Sequence, residues 1–169
     1  MFGNAGGGKS TLAKKLAEAT GLPLHTIDKM KFQPGGVEIA HEDYLKNHGD
    51  ILGHDEWILD GFGCVASTWQ RMEAADTLIY VDLALWRHVW WVTKRLMRGA
   101  FTLPEGWPEK SPILKSSWNS FRVFGLCHKK LTPQYRQYVA EAQNQKQVFH
   151  LRTPQDIRRF LEGEAIKNS

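Results

Sequence analysis

Residues 3–10 read Gly-Asn-Ala-Gly-Gly-Gly-Lys-Ser, a glycine-rich run closed by a lysine and a hydroxyl. Glycine reaches backbone angles closed to other residues, so successive N–H groups can turn inward onto one anion. The spacing G-x-x-x-x-G-K-[ST] is met at every fixed position, by Gly3, Gly8, Lys9 and Ser10. In such a phosphate loop the lysine reaches β- and γ-phosphates and the hydroxyl ligates Mg²⁺. A helix beginning near Lys9 adds the positive end of its dipole. The run leads into Leu12, Leu16 and Ala19 at helical spacing, which a chance glycine-rich tail has no reason to carry. ATP and Mg²⁺ are therefore the expected ligands. Gly3, Asn4, Ala5, Gly6, Gly7, Gly8, Lys9, Ser10 and Thr11 form the nucleotide-contact set, with Ser10 on the metal.

Three acids follow short apolar runs. In open α/β sheets ligands gather outside the carboxyl ends of the strands. Asp60 follows Trp57-Ile58-Leu59 and is expected in the Mg²⁺ shell, through water. Asp28 follows Leu24-His25-Thr26-Ile27, where it could orient an acceptor hydroxyl or take its proton. Asp82 closes 77–81 and reads as structural.

Between 87 and 136 stand Arg87, Lys94, Arg95, Arg98, Lys110, Lys115, Arg122, Lys129, Lys130 and Arg136, opposed only by Glu105 and Glu109. Phosphoryl transfer spreads negative charge over the moving oxygens, and arginines closing over it stabilise that charge. Arg95 and Arg98 precede a Gly-, Pro- and Trp-rich stretch at 99–112, and Arg122 follows it, so these three are the expected phosphate-closing groups. Lys110, Lys115 and Lys129 read as a solvated face. A nucleic-acid reading would use the same bases with Trp107 and Trp118 as stacking groups; packing is the commoner role of such aromatics, so nucleic acid is not expected as a partner.

The elements that must position these residues alternate strand-like and helix-like patterns, the mark of an α/β domain with a mostly parallel sheet. Helices are expected at about 9–20, 41–52, 67–75, 85–98, 113–127 and 133–143, with a last one starting at 153–154. Strands are expected at 24–27, 57–59, 77–81 and 147–151. Only Met1 and Phe2 precede the loop, where a central strand is normally found; either the strand is a stub or the natural chain begins upstream, and the second is the expectation. At 169 residues the chain fits one compact domain. Its net charge of +4 suits an enzyme that collects polyphosphates. Cys64 and Cys127 are too few for a disulfide framework and read as reduced, inert thiols in a cytoplasmic protein. The most apolar window, 83–97, is broken by Arg87, His88, Lys94 and Arg95, so no membrane partner is expected. Trp86, Trp90 and Trp91 suit core packing with some rim exposure. His41-Glu42 opens like a zinc-protease helix, but Leu45 stands where the second histidine should be.

The loop, the Trp57-to-Gly61 element and the arginine-flanked stretch together resemble the adenylate-kinase-like P-loop kinases. Within them the chain is most similar to the bacterial family called DNA topology modulation proteins, over 3–16, 24–34, 56–61 and 75–98, with weaker likeness to 161. The resemblance implies a three-layer P-loop NTPase fold with a five-stranded, doubly wound parallel sheet and a helical lid at about 99–125 inserted in a single domain, 1–169. It implies ATP with Mg²⁺, carries Lys9 and Ser10 over as phosphate and metal contacts and Arg95 and Arg98 as lid arginines, and sets the loop from Arg152 to Pro154 beside the adenine. Two departures bear on the acceptor. Gly61 is followed by Phe62-Gly63-Cys64, with Arg71 the nearest arginine, and the nucleotide-monophosphate signature is replaced by Asp28. Both argue against AMP and for a small hydroxylated acceptor, as in shikimate-type kinases. The expectation is an ATP-dependent kinase acting on a small molecule or nucleotide; the alternative is a nucleotide-binding regulatory protein associated with DNA.

Overall fold

The computed structural model describes residues 1–4, 6–33, 36–99 and 113–167, of which 92, 95–99, 113–124 and 164–167 are described in backbone only. Ala5 and the centre of the expected lid, 100–112, lie outside the described residues.

The chain alternates as expected. Strand β1 (Phe2–Gly3) enters the glycine loop and helix α1 (Lys9–Thr20) leaves it. Then come β2 (Leu24–Thr26), α2 (Ile27–Lys31), α3 (His41–Leu52), β3 (Ile58–Asp60), α4 (Val65–Ala74) and β4 (Thr77–Val81). Helices α5 (Leu85–Gly99) and α6 (Ile113–Ala142), strand β5 (Gln147–Leu151) and helix α7 (Pro154–Lys167) complete it. Gly21 closes α1 in the left-handed conformation, its N–H on the Ala17 carbonyl.

Two elements differ from expectation. Ile27 and Asp28 do not extend β2; they open α2, with Ile27 fully buried. The two helices expected at 113–127 and 133–143 are one 30-residue helix with Pro133 inside it. Proline removes one helical hydrogen bond and costs about 3 kcal/mol in a helix interior. Leu131, Tyr135, Val139 and Ala142 are all buried on one side of that helix, and each apolar side chain so buried returns about 1.5–3 kcal/mol. The packing outweighs the proline.

Among the described residues, every pairing between these strands is parallel. Strand β4 lies between β1 and β5, with Phe2 beside Tyr80, Gly3 beside Val81, and five paired positions from Thr77–Gln147 to Val81–Leu151. Strands β2 and β3 form a separate pair, with Thr26 beside Asp60. The expected single five-stranded sheet is thus present as three strands plus two. β1 is only two residues long, and the Met1 ammonium donates to the Leu59 carbonyl (2.7 Å) across the gap to β3.

Helices cover both faces of the three-stranded sheet. β4 alternates, as a strand buried on two sides must. Ile79 and Val81 join Leu12, Leu16 and Phe160 of α1 and α7, together with Ile58 of β3. Leu78 and Tyr80 join Phe2, Met72, Leu131, Tyr135 and Val139 on the face of α4 and α6. Phe2 stacks on Tyr80 with ring centres 4.9 Å apart. Among the described residues, no helix is long and apolar enough to cross a membrane.

Candidate phosphate-binding site

Gly3 pairs with Val81 at φ 127°, and a β-carbon there would stand 2.2 Å from the Val81 carbonyl oxygen, so only glycine can carry the chain from β1 into the loop. At the other end Gly8 is the N-cap of α1 at φ 73° and provides no side-chain cap. A β-carbon there would meet the Trp91 ring at 3.0 Å, and one on buried Gly7 would meet the His88 ring at 3.0 Å. Helix α5 therefore lies directly against the loop, and the absence of side chains lets it approach. No acidic residue occupies the first turn of α1. Its opening N–H groups and dipole face the loop without a competing carboxylate, the arrangement that favours an anion.

Lys9 is half-buried, and its ammonium donates to the Asn4 carbonyl at 2.7 Å. The lysine is thus held across the loop it belongs to. Asn4 is itself buried, and its amide donates to Thr132 Oγ1 (3.1 Å) and His128 Nδ1 (3.0 Å), both on α6. Sequence reasoning placed Asn4 in the loop but had no means of finding this tie, whose partners lie 124 and 128 residues away. Ser10 and Thr11 are exposed on the first turn.

A second polar group gathers at the ends of β2 and β3. Asp60 ends β3 fully buried, and its Oδ1 has no hydrogen-bond partner among the described residues. Gly61, at φ 120°, lets the start of α2 close over it: a β-carbon there would stand 2.9 Å from Ile27 Cβ, with the Asp28 nitrogen next to it at 3.5 Å. Asp28 sits in the first turn of α2, half-buried beside this crossing. Asp28 and the Asp60-Gly61 turn are therefore neighbours.

Arg71 of α4 was not expected here. It is 3 % exposed and donates through Nη2 to the carbonyls of Gly61 (2.5 Å) and Phe62 (3.0 Å) and to Thr68 Oγ1 (3.1 Å). Nη1 has no partner among the described residues. Burial lowers the Arg71 pKa, while Tyr44, Tyr135, Asp60 and Asp28 oppose that shift. His48 is buried beside it, and its pKa is lowered by desolvation and by the Arg71 charge. The sequence signal was faint: Arg71 falls on a helix with no visible partner, and only the tertiary fold folds the post-β3 turn over it.

At the ends of β4 and β5, Asp82 accepts a two-pronged pair from Arg136, Nε at 2.8 Å and Nη2 at 3.0 Å. His150 Nε2 lies 3.0 Å from the same carboxylate. Arg152 donates to His150 Nδ1 at 3.3 Å, which leaves the ring proton on Nε2 facing Asp82. Burial raises the Asp82 pKa, but the Arg136 and His150 hydrogen bonds outweigh it and hold the carboxyl below its ordinary range. Asp82, Arg136 and Arg152 line a cleft of about 360 Å³. Because Gly3 pairs with Val81, Asp82 leaves β4 at the same carboxyl end of the sheet at which the glycine loop leaves β1. The structural reading of Asp82 fits these contacts.

Arg95 and Arg98 fall on α5 and Arg122 on α6, but their side chains lie outside the described residues. Trp91 packs half-buried against the loop, whereas Trp86 and Trp90 are 63 % and 61 % exposed, more open than the core packing with some rim exposure expected of the three. Among the described residues no three His, Cys, Asp or Glu side chains converge as a metal site. No protein-family model matches the chain, and no curated protein matches it in sequence.

Proposed function

We propose that the chain binds ATP with Mg²⁺ on the 3–10 loop and transfers the γ-phosphate to a small hydroxylated molecule or nucleotide. The observation that carries this reading is the loop itself. Glycine is required on steric grounds at Gly3 and favoured at Gly8 by its left-handed φ, the loop opens on an uncapped helix, and Lys9 is held within it. Reading the two strand groups as one layer in the order β2-β3-β1-β4-β5 supports it, because Met1 reaches Leu59 and Ile58 shares a core with Ile79 and Val81. That order sets the loop at the centre of a doubly wound sheet, where α/β proteins bind ligands.

The residues present fit a magnesium ion. Mg²⁺ takes few protein ligands and keeps most of its waters. Ser10 supplies a hydroxyl, and buried Asp60 has an oxygen without a partner among the described residues. When bound, the ion would draw charge from the phosphate oxygens. Lys9 would leave the Asn4 carbonyl for the phosphates. Asp28 would orient the acceptor hydroxyl or take its proton. Arg71 would keep the Asp60-Gly61 turn in place through two carbonyls, and Arg95, Arg98 and Arg122 would close over the transferring group. Arg152 would border the base.

ADP release tests the reading, measured with Mg-ATP across nucleosides, nucleotides and small hydroxylated metabolites. At least one acceptor should raise turnover well above the rate with water alone. If none does, the kinase reading fails; salt-sensitive DNA retention in its place would favour a regulatory nucleotide-binding role.

A further inference from the structure

Helix α5 turns its inner side to the glycine loop through His88, which is buried, and Trp91, which is half-buried. Its outer side is apolar. Leu85, Trp86, Val89 and Trp90 are 43 %, 63 %, 41 % and 61 % exposed, at the i, i+1, i+4, i+5 spacing of one helical stripe. Two tryptophans a turn apart at such exposure are costly in water, and a contiguous apolar patch of this kind marks an interaction face.

The charges beside the stripe indicate its occupant. Residues 83–104 contain no Asp or Glu, while α5 carries Arg87, Lys94, Arg95 and Arg98. The Arg87 guanidinium lies over the Trp86 ring at 4.5 Å, and Lys94 is exposed at the end of the stripe. A second copy seated on the same face would bring these cations against their own counterparts. Nucleic acid would stack on the indoles but leave Leu85 and Val89, the aliphatic half of the stripe, without a partner. An anionic bilayer surface satisfies both parts: indoles rest at the headgroup boundary, and cations snorkel to the phosphates.

We propose that the outer stripe of α5 docks the chain on an anionic lipid surface, with Trp86 and Trp90 entering the interface and Arg87 and Lys94 meeting the headgroups. The chain lies on the membrane and does not cross it. This departs from the sequence expectation of no membrane partner, which weighed only a spanning segment. It does not rest on the phosphoryl-transfer reading, which uses none of these four residues.

The test uses the full chain with sedimented vesicles of phosphatidylcholine alone, and of phosphatidylcholine with phosphatidylglycerol. Binding should appear with the anionic vesicles, weaken as salt rises, and be much lower on the neutral ones. Trp86→Ala with Trp90→Ala should reduce vesicle binding about tenfold or more. Both side chains are exposed, so the thermal midpoint should stay near that of the parent. Should the pair nonetheless unfold, Arg87→Gln with Lys94→Gln must weaken anionic binding, and bromine-labelled lipid must quench tryptophan emission of the parent chain. No binding to anionic vesicles, or binding unchanged in the variants, overturns the proposal. So does a dimer that the double tryptophan variant converts to monomer, or oligonucleotide binding that the same variant abolishes.

Discussion

Asn4 is held at three atoms at once. Its carbonyl accepts the Lys9 ammonium, and its amide hydrogens go to Thr132 and His128. Both amide donors are thereby used, and the loop is fixed to the helix that follows the lid region. Asn4→Ala leaves a buried threonine hydroxyl without its donor, at a cost of about 1–3 kcal/mol. Denaturant unfolding should register that loss, and Thr132→Val added to Asn4→Ala should cost little more, because the shared bond has already gone. Full additivity of the two substitutions would show that the tie does not exist.

At the scale of the element, the patterned segments were readable and the tertiary exceptions were not. Helix α3 at His41–Leu52 and strands β4 and β5 have the bounds that periodicity and β-branched residues assign them. Their patterns are set by local burial, which sequence records directly. Helix α6 was not readable as one piece, because Pro133 is a local stop signal that buried Leu131, Tyr135 and Val139 override. Arg71 was missed for a related reason: its partners are two carbonyls brought over it by the turn after β3. The glycine run itself was visible in the sequence, but the neighbours that press on it, Val81 at Gly3 and Trp91 at Gly8, and the tie from Asn4 to α6 were not. Pro133 is exposed, and Pro133→Ala restores a backbone donor inside the helix, so stability should rise by about 1–3 kcal/mol as the thermal midpoint moves up. A lower midpoint would contradict this.

Across the whole molecule, Asp82 joins β4, β5 and α6 through Arg136 and His150. A carboxyl held below its ordinary value of 3.8 releases its proton more readily folded than unfolded. The stability it contributes is therefore complete above that value and lost as pH falls through the folded pKa. Arg136→Gln leaves Asp82 buried with half its partners, at a cost near neutrality of about 1–3 kcal/mol. The gap between parent and variant should close as the solution is acidified and Asp82 is protonated. Thermal unfolding followed from about pH 7 to about pH 3 measures this; a gap that stays constant through the acid range would rule out the ion pair as its source.

The central claim concerns the loop from Gly3 to Ser10, where Gly3, required by Val81, and Gly8, favoured by its left-handed φ, lead into an uncapped helix with Lys9 held across the entrance. Calorimetric titration of Mg-ATP into the parent chain and into Lys9→Ala tests it most directly. The loop reading predicts saturable one-to-one binding by the parent and an affinity about a hundredfold weaker in the variant, the loss of a charge-assisted contact to phosphate. Equal affinity in the two proteins, or no binding by a folded parent, would contradict it.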